Sequence, residues 1–130
     1  MIQEEFSESG VEIVTCAPEY ANDLLVYLQN HIYSKVTLEE ISRHFSLSQS
    51  HLSRVFLKTY HISPINYLIY CRMRQARTYI LNDDLPPAEI AKRLAYRTTY
   101  HFTKTFEKFY GCKPEDYQAF EQKMMLGNDG

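Results

Sequence analysis

The stretch HLSRVFLKTYHISPINY at residues 51–67 returns fifty positions later as HFTKTFEKFYGCKPEDY at residues 101–117. His51, Leu52, Arg54, Phe56, Lys58, Tyr60, Pro64 and Tyr67 reappear as His101, Phe102, Lys104, Phe106, Lys108, Tyr110, Pro114 and Tyr117. Upstream, EISRHF at 40–45 matches EIAKRL at 89–94 with an offset of 49, so the two units differ by one residue in the turn between their helices. Two copies are too few for a solenoid, whose repeats need several neighbours to bury a core. The pattern instead describes a pair of like modules in one chain.

The 130 residues are 45% hydrophobic, enough to build the core of one ordinary domain or of two very small ones. Eleven Tyr and seven Phe with only four Gly, and no alternating Val/Ile/Thr runs, favour an all-α protein over a sheet sandwich. No basic segment followed by an apolar run opens the chain, and no apolar stretch approaches the ~20 residues of a membrane span. A cytoplasmic protein without a membrane part is expected. Cys16, Cys71 and Cys112 are odd in number, far apart and outside any Cys-x-x-Cys pattern, which argues for reduced thiols rather than a disulfide framework or a zinc site.

The net charge of −2 averages over unlike segments. Residues 48–113 hold eleven Lys and Arg against four Asp and Glu, a net +7, whereas residues 1–47 hold two against eight and residues 114–130 one against four. A basic middle between acidic ends points to a polyanionic partner for the repeat region.

Each module is expected to fold as helix, tight turn, helix. Thr37-Leu38-Glu39-Glu40 is a capping box, with Leu38, Ile41 and Phe45 on one face of the helix that follows. After Ser46-Leu47, Ser48 caps a second helix with core positions Leu52, Val55 and Phe56. In the second copy Pro86-Pro87 open the first helix, because proline suits a turn whose N–H groups are unpaired, and Thr98 caps the next. Between the modules Ser63-Pro64 starts a longer helix through about Leu81, ended by Asn82-Asp83-Asp84. A helix near Tyr20–Ile32, with Leu24, Leu25, Leu28 and Ile32 at helical spacing, braces the first module.

With Leu52, Val55 and Phe56 inward, the opposite face of that helix shows Ser50, Ser53, Arg54, Leu57 and Lys58. The equivalent face of the second copy shows Tyr100, Thr103, Lys104, Glu107 and Lys108, flanked by Thr98 and Thr99. Small polar groups near a helix N-terminus with a long cation one turn on suit insertion into a major groove: hydroxyls bond several base edges, and Arg or Lys reaches guanine or phosphate. A single such face is most often merely solvated; two matched faces at matched places favour double-stranded DNA. A helical protein-interaction domain is the alternative, and the outward pair Arg54 and Lys104 argues against it.

Nothing nucleates an active site. His31, His44, His51, His61 and His101 include no pair three or four apart on one helix, so no metal-ligand pair of the His-Glu-x-x-His kind exists. There is no glycine-rich phosphate loop and no nucleophile in a recognisable setting, so neither enzyme activity, metal nor cofactor is expected.

The run Ser-x-x-His-Leu-Ser-Arg-Val-Phe at 48–56, Ser63-Pro64, Tyr67-Leu68, Arg72-Met73-x-x-Ala76, Glu89-Ile90-Ala91 and His101-Phe102-Thr103-Lys104-x-Phe106, with Pro114 and Tyr117, resembles the AraC/XylS family of bacterial transcription regulators over about residues 20–120. The resemblance implies two helix-turn-helix subdomains joined by a long linker helix, each placing its second helix in the major groove. It assigns base reading to Ser50, Ser53 and Arg54 and to Tyr100, Thr103 and Lys104, the faces reached above from helical geometry. Backbone contacts would fall to Ser48, Gln49, Lys58, Arg97, Thr98, Thr99 and Lys108. It also implies a transcription activator, with RNA polymerase as a second partner, and dimerisation through a preceding domain while the isolated DNA-binding part stays monomeric.

This chain departs from the family at several places. Ser46 and Ala95 stand where the family has glycine in the helix-helix turn, and His61 replaces the glycine kept at Gly111, so local left-handed strain is expected. Lys104 stands where arginine is common and Glu107 where a cation is common, which predicts a weaker second module. His51 and His101 occupy positions where the family has tyrosine, and are expected to pack beside the core and bond a backbone group or phosphate.

The expected organisation is an acidic linker or domain tail at 1–19, a first module at 20–62, a linker helix at 63–82, a second module at 83–121 and a tail at 122–130. The leading segment reads as an interdomain connector, which suggests a piece of a longer regulator.

Overall fold

The computed structural model describes residues 19–127; the acidic leading segment up to 18, Cys16 and residues 128–130 lie outside the described residues. Among the described residues there are seven α-helices and no strand: α1 Glu19–Gln29, α2 Leu38–Phe45, α3 Gln49–Tyr60, α4 Pro64–Thr78, α5 Pro87–Arg93, α6 Thr99–Tyr110 and α7 Tyr117–Gly127. A short 3-10 turn, Pro114–Asp116, leads into α7.

The starts of these helices follow from local chemistry. The capping box of α2 is formed: the Glu40 N–H donates to Thr37 Oγ1 at 3.1 Å, and the Thr37 N–H donates to Glu40 Oε1 at 3.0 Å. Ser48, Ser63 and Thr98 accept the N–H of His51, Asn66 and His101 at 3.1, 3.2 and 3.0 Å, so α3, α4 and α6 each have one free donor satisfied by a side chain. Helix α5 has no such cap and begins with Pro87.

Helix α4 ends in a single π-helical turn, Tyr79–Asp83, closed by Asp84 in the left-handed region, whose N–H donates to the Tyr79 carbonyl. The stop therefore falls at the expected Asn82-Asp83-Asp84, but the wide turn before it is not visible in the periodicity. Tyr79 and Ile80, neighbours in sequence, are both buried there.

Two cores form, and α4 serves both. Leu68 joins Leu24, Leu28, Ile32, Ile41, Leu52 and Phe56. One turn further, Met73 and Ala76 join Tyr79, Ile80, Ile90, Ala91, Leu94, Phe102, Phe106 and Tyr117. Each fully buried Phe contributes on the order of 1.5–3 kcal/mol of burial free energy relative to exposure. Val55 is a correction: it is half-buried rather than part of the core, in which Leu52 and Phe56, four apart, are the fully buried residues of this helix. Leu38 and Phe45 likewise sit half-buried at the edge.

Different elements brace the two cores. On the first, α1 reaches α3 through a 2.9 Å hydrogen bond between the Tyr20 hydroxyl and His51 Nε2. On the second, Arg77 of α4 donates from Nε to the Tyr117 hydroxyl at 2.9 Å and from Nη2 to Glu121 Oε2 at 2.6 Å, and Tyr117 donates to Glu121 Oε1 at 3.0 Å. The bonds from Arg77 and Tyr117 hold the Glu121 carboxyl below its ordinary pKa. Tyr110 donates to the Met73 carbonyl at 2.9 Å, and burial pushes its phenol up to about 12. Arg72 crosses between the halves: Nε donates to the Ile32 carbonyl at 3.0 Å, Nη2 to the Ser34 carbonyl at 2.6 Å, and the guanidinium lies 5.7 Å from the centre of the Tyr96 ring. Cys71 and Cys112 are free, half-buried thiols, each with its pKa raised by burial.

Candidate nucleic-acid interface

Both helix-helix turns are built alike. Ser46 takes φ 56° and Ala95 φ 65°, as expected of positions that favour glycine. In each, the next residue closes the helix with a bond to a carbonyl five back: the Leu47 N–H donates to Ser42 at 3.0 Å, the Tyr96 N–H to Ala91 at 3.0 Å. In the first module the cap Ser48 follows Leu47 at once; in the second, Arg97 intervenes between Tyr96 and the cap Thr98. That is the one-residue difference between the repeats. After the second helices, His61 (φ 65°) and Gly111 (φ 84°) make the same left-handed exit.

The turns fix the direction of α3 and α6, whose buried stripes Leu52/Phe56 and Phe102/Phe106 turn the opposite faces out. Ser48, Gln49, Ser50, Arg54 and Lys58 are exposed on α3 and its cap, and Arg97, Thr98, Thr99, Tyr100, Lys104 and Lys108 on α6 and the turn before it. Ser53 and Thr103 are half-buried at equivalent positions. Tyr100, at 71% exposure, presents most of its aromatic ring to solvent. Ser48 and Thr98 use an oxygen lone pair for the helix cap, which leaves each hydroxyl hydrogen available for a phosphate.

The cations of the two faces differ in surroundings. Arg54 Nη2 donates to His51 Nδ1 at 3.4 Å, an arrangement that puts the imidazole proton on Nε2, facing the Tyr20 hydroxyl. Lys104 Nζ lies 3.9 Å from Glu107 Oε1 and 5.6 Å from the centre of the Tyr100 ring. The His51 ring bonds two side chains, Tyr20 and Arg54, rather than a backbone group, because α1 brings a hydroxyl within reach. His101 is exposed, with its ring edge-on to Tyr96 at 5.2 Å. The i,i+3 pairing of Lys104 with Glu107 was legible from spacing, whereas the Tyr20 contact, 31 positions away, carried no local signal.

No group of three metal-ligating side chains exists among the described residues, and no described helix is long and apolar enough to cross a membrane. Two helix-turn-helix units that present small polar and cationic side chains from their second helices define a DNA-binding class of protein, and residues 41–119 match the family described as helix-turn-helix domain.

The chain belongs to the AraC/XylS family of DNA-binding transcription regulators, and its relatives are regulators rather than enzymes. It is 44% identical over 96 residues to the HTH-type transcriptional regulator YdiP of Escherichia coli K12, which covers 74% of this chain and 32% of YdiP. The chain thus spans about a third of that relative's length. The C-terminal domain of AraT, a response regulator from Geobacillus stearothermophilus, superposes with a TM-score of 0.77 at 30% identity, covering 82% of this chain and 88% of that one. The DNA-binding domain of AdpA, solved in complex with a target DNA, shares the fold with a TM-score of 0.72 at 20% identity, covering 80% of this chain and 94% of that one.

Proposed function

We propose that residues 20–121 bind double-stranded DNA sequence-specifically as one unit, with a first module at 20–62, a linker helix at 63–82 and a second module at 83–121. Helices α3 and α6 enter two successive major grooves on one side of the duplex. Ser50, Ser53 and Arg54 read bases in one groove, and Tyr100, Thr103 and Lys104 in the next. Ser48, Gln49, Lys58, Arg97, Thr98, Thr99 and Lys108 hold the phosphates that flank them. The observation that carries this reading is that one helix, α4, anchors both cores, so two like recognition helices have a fixed spacing. The fifteen α-helical residues of α4 span roughly 22 Å at ~1.5 Å per residue. With the flanking turns, this approaches one duplex turn of ~34 Å. DNA bending supplies any shortfall at an elastic cost of order 1–6 kcal/mol.

Because the two faces differ, the site is asymmetric and one domain fills it; dimerisation belongs to another part of the regulator. Activation, a second contact with RNA polymerase and a cytoplasmic location follow from the family resemblance.

The test is a spacing series. Inserting about half a helical turn between the half-sites should abolish specific binding, since the second helix would face the wrong side of the duplex. Unchanged affinity and footprint would overturn two-groove recognition.

A further inference from the structure

A cleft of about 460 Å³ opens between the two modules and shares Arg97 and Thr98 with the edge of the α6 face. The first module lines it with Lys35, Val36 and Thr37, the linker helix with Arg72, and the second module with Ala95, Tyr96, Arg97, Thr98 and His101. Three cations line it and no carboxylate does. Glu40, beside Thr37, has its Oε1 engaged by the Thr37 backbone N–H at 3.0 Å. Lys35 and Arg97 are exposed and form no ion pair among the described residues.

The buried side of the cleft lacks a counter-ion. Arg72 bonds two backbone carbonyls and a ring face rather than a carboxylate, and burial draws its pKa below the usual guanidinium value. Tyr96 has its hydroxyl buried with no hydrogen-bond partner. A buried donor is ordinarily paired, so this wall of the cleft has polar groups without an anionic partner, although the hydroxyl itself is closed to solvent. Two helix N-termini also meet here, those of α2 at Thr37 and α6 at Thr98, and the positive end of a helix favours a phosphate.

We propose that this cleft is a phosphate-binding site for the DNA backbone between the two half-sites, extending the contact already proposed for Arg97 and Thr98 to Lys35, exposed like Arg97, and to the half-buried Arg72. The inference rests on the two-groove reading. If α3 and α6 occupy successive major grooves, the surface between the modules faces the intervening minor groove and the phosphates along its edges. Residues 35–37 then join the interface although they lie outside both recognition helices. The sequence motif points to Arg97 and Thr98 but not to Lys35 or Arg72, because the cleft that joins them exists only where the modules meet.

The experiment measures affinity of the 130-residue chain for a selected specific duplex and for random duplex across 50–200 mM salt. Wild type is compared with Lys35→Ala, Arg97→Ala, the double variant and a Lys123→Ala control on α7. Each lost phosphate contact should make the log–log salt slope shallower by about 0.9, so the affinity ratio between the two salt limits shrinks by about 3.5-fold. In parallel, single neutral methylphosphonates are placed at each phosphate between the half-sites. One or two of these should weaken wild type several-fold and the double variant much less, while Lys123→Ala behaves as wild type. A wild-type slope and unchanged methylphosphonate sensitivity in the double variant would overturn the cleft assignment while leaving groove reading intact. Inorganic phosphate shifting the Tyr96 and His101 NMR signals, with no methylphosphonate effect, would make free phosphate the ligand and equally overturn the backbone assignment. Failure of wild type to prefer the selected duplex over random DNA would sink the two-groove reading itself.

Discussion

The two modules share a backbone and differ in electrostatics. Both close their first helix through a left-handed non-glycine residue, both cap the second with a hydroxyl, and both bury two aromatic or aliphatic side chains four apart. Yet Arg54 faces outward beside a histidine, whereas Lys104 lies within 3.9 Å of a carboxylate on its own helix. The second module also carries an extra residue, Arg97, immediately before its cap. Backbone likeness comes from the buried stripe and the caps, which constrain few residues. The outward face is free to diverge, and here it leaves one module with a guanidinium that has no carboxylate partner among the described residues and the other with a partly neutralised ammonium.

The largest effect should come from breaking either core. Phe56→Ala and Phe106→Ala, both fully buried, should each cost about 3–5 kcal/mol in chemical denaturation. Since the cores are separate, hydrogen exchange should distinguish them: Phe56→Ala should expose α1 to α3 first, and Phe106→Ala α5 and α6. Equal loss of protection throughout both halves in either variant would show that α4 couples them into one cooperative unit.

The recognition faces come next in size. Arg54→Ala should cost about 1–3 kcal/mol on the specific site and relax preference at one base position. Lys104→Ala should cost less. Glu107→Gln should strengthen binding by up to about 1 kcal/mol, because it removes a carboxylate from the face proposed to meet DNA and releases Lys104 from a surface pair. Anisotropy titrations on specific and random duplexes read all three. If Arg54→Ala lost equally on both duplexes, Arg54 would hold phosphate rather than read a base; equal costs for Arg54 and Lys104 would erase the contrast between the modules.

Much of this architecture was legible because it is local. Thr37 with Glu40, Ser48, Ser63, Thr98 and Pro87 mark helix starts through bonds or ring geometry spanning three residues or fewer; the repeat set His61 against Gly111, and the left-handed Ser46 and Ala95 came from the family resemblance, which has glycine there. What was not legible depends on distant partners. Tyr20 reaches His51 across 31 positions and Arg72 reaches Ser34 across 38, so neither leaves a trace in periodicity. Val55 fails for a related reason: a helical wheel gives the direction of a side chain but not how deep the neighbouring helix sits. The π turn at Tyr79–Asp83 is set by two adjacent residues both finding the second core, which is again a tertiary cause.

The smallest effects test how far the matched backbones are equally strained. A β-carbon in the left-handed region costs roughly 1–2 kcal/mol, partly offset because glycine loses more freedom on folding. Ala95→Gly should therefore stabilise the fold by about 0.5–1 kcal/mol. Ser46→Gly should gain somewhat less, and His61→Gly least, because histidine tolerates this region better than most side chains. At Gly111 the sign reverses. A β-carbon added there would meet nothing within 4 Å, so Gly111→Ala carries the backbone term alone and should destabilise by a similar amount. For a domain of this size 1 kcal/mol moves Tm by about 4–8 °C, which thermal denaturation resolves. Gains at Ala95 and Ser46 with a loss at Gly111 would mean that the two modules tolerate one turn geometry at a fixed backbone cost. A loss at Ala95 or Ser46 would mean instead that the side chain supplies something glycine cannot, and at Ala95, which lines the cleft between the modules, that something would have to be packing against the neighbouring module.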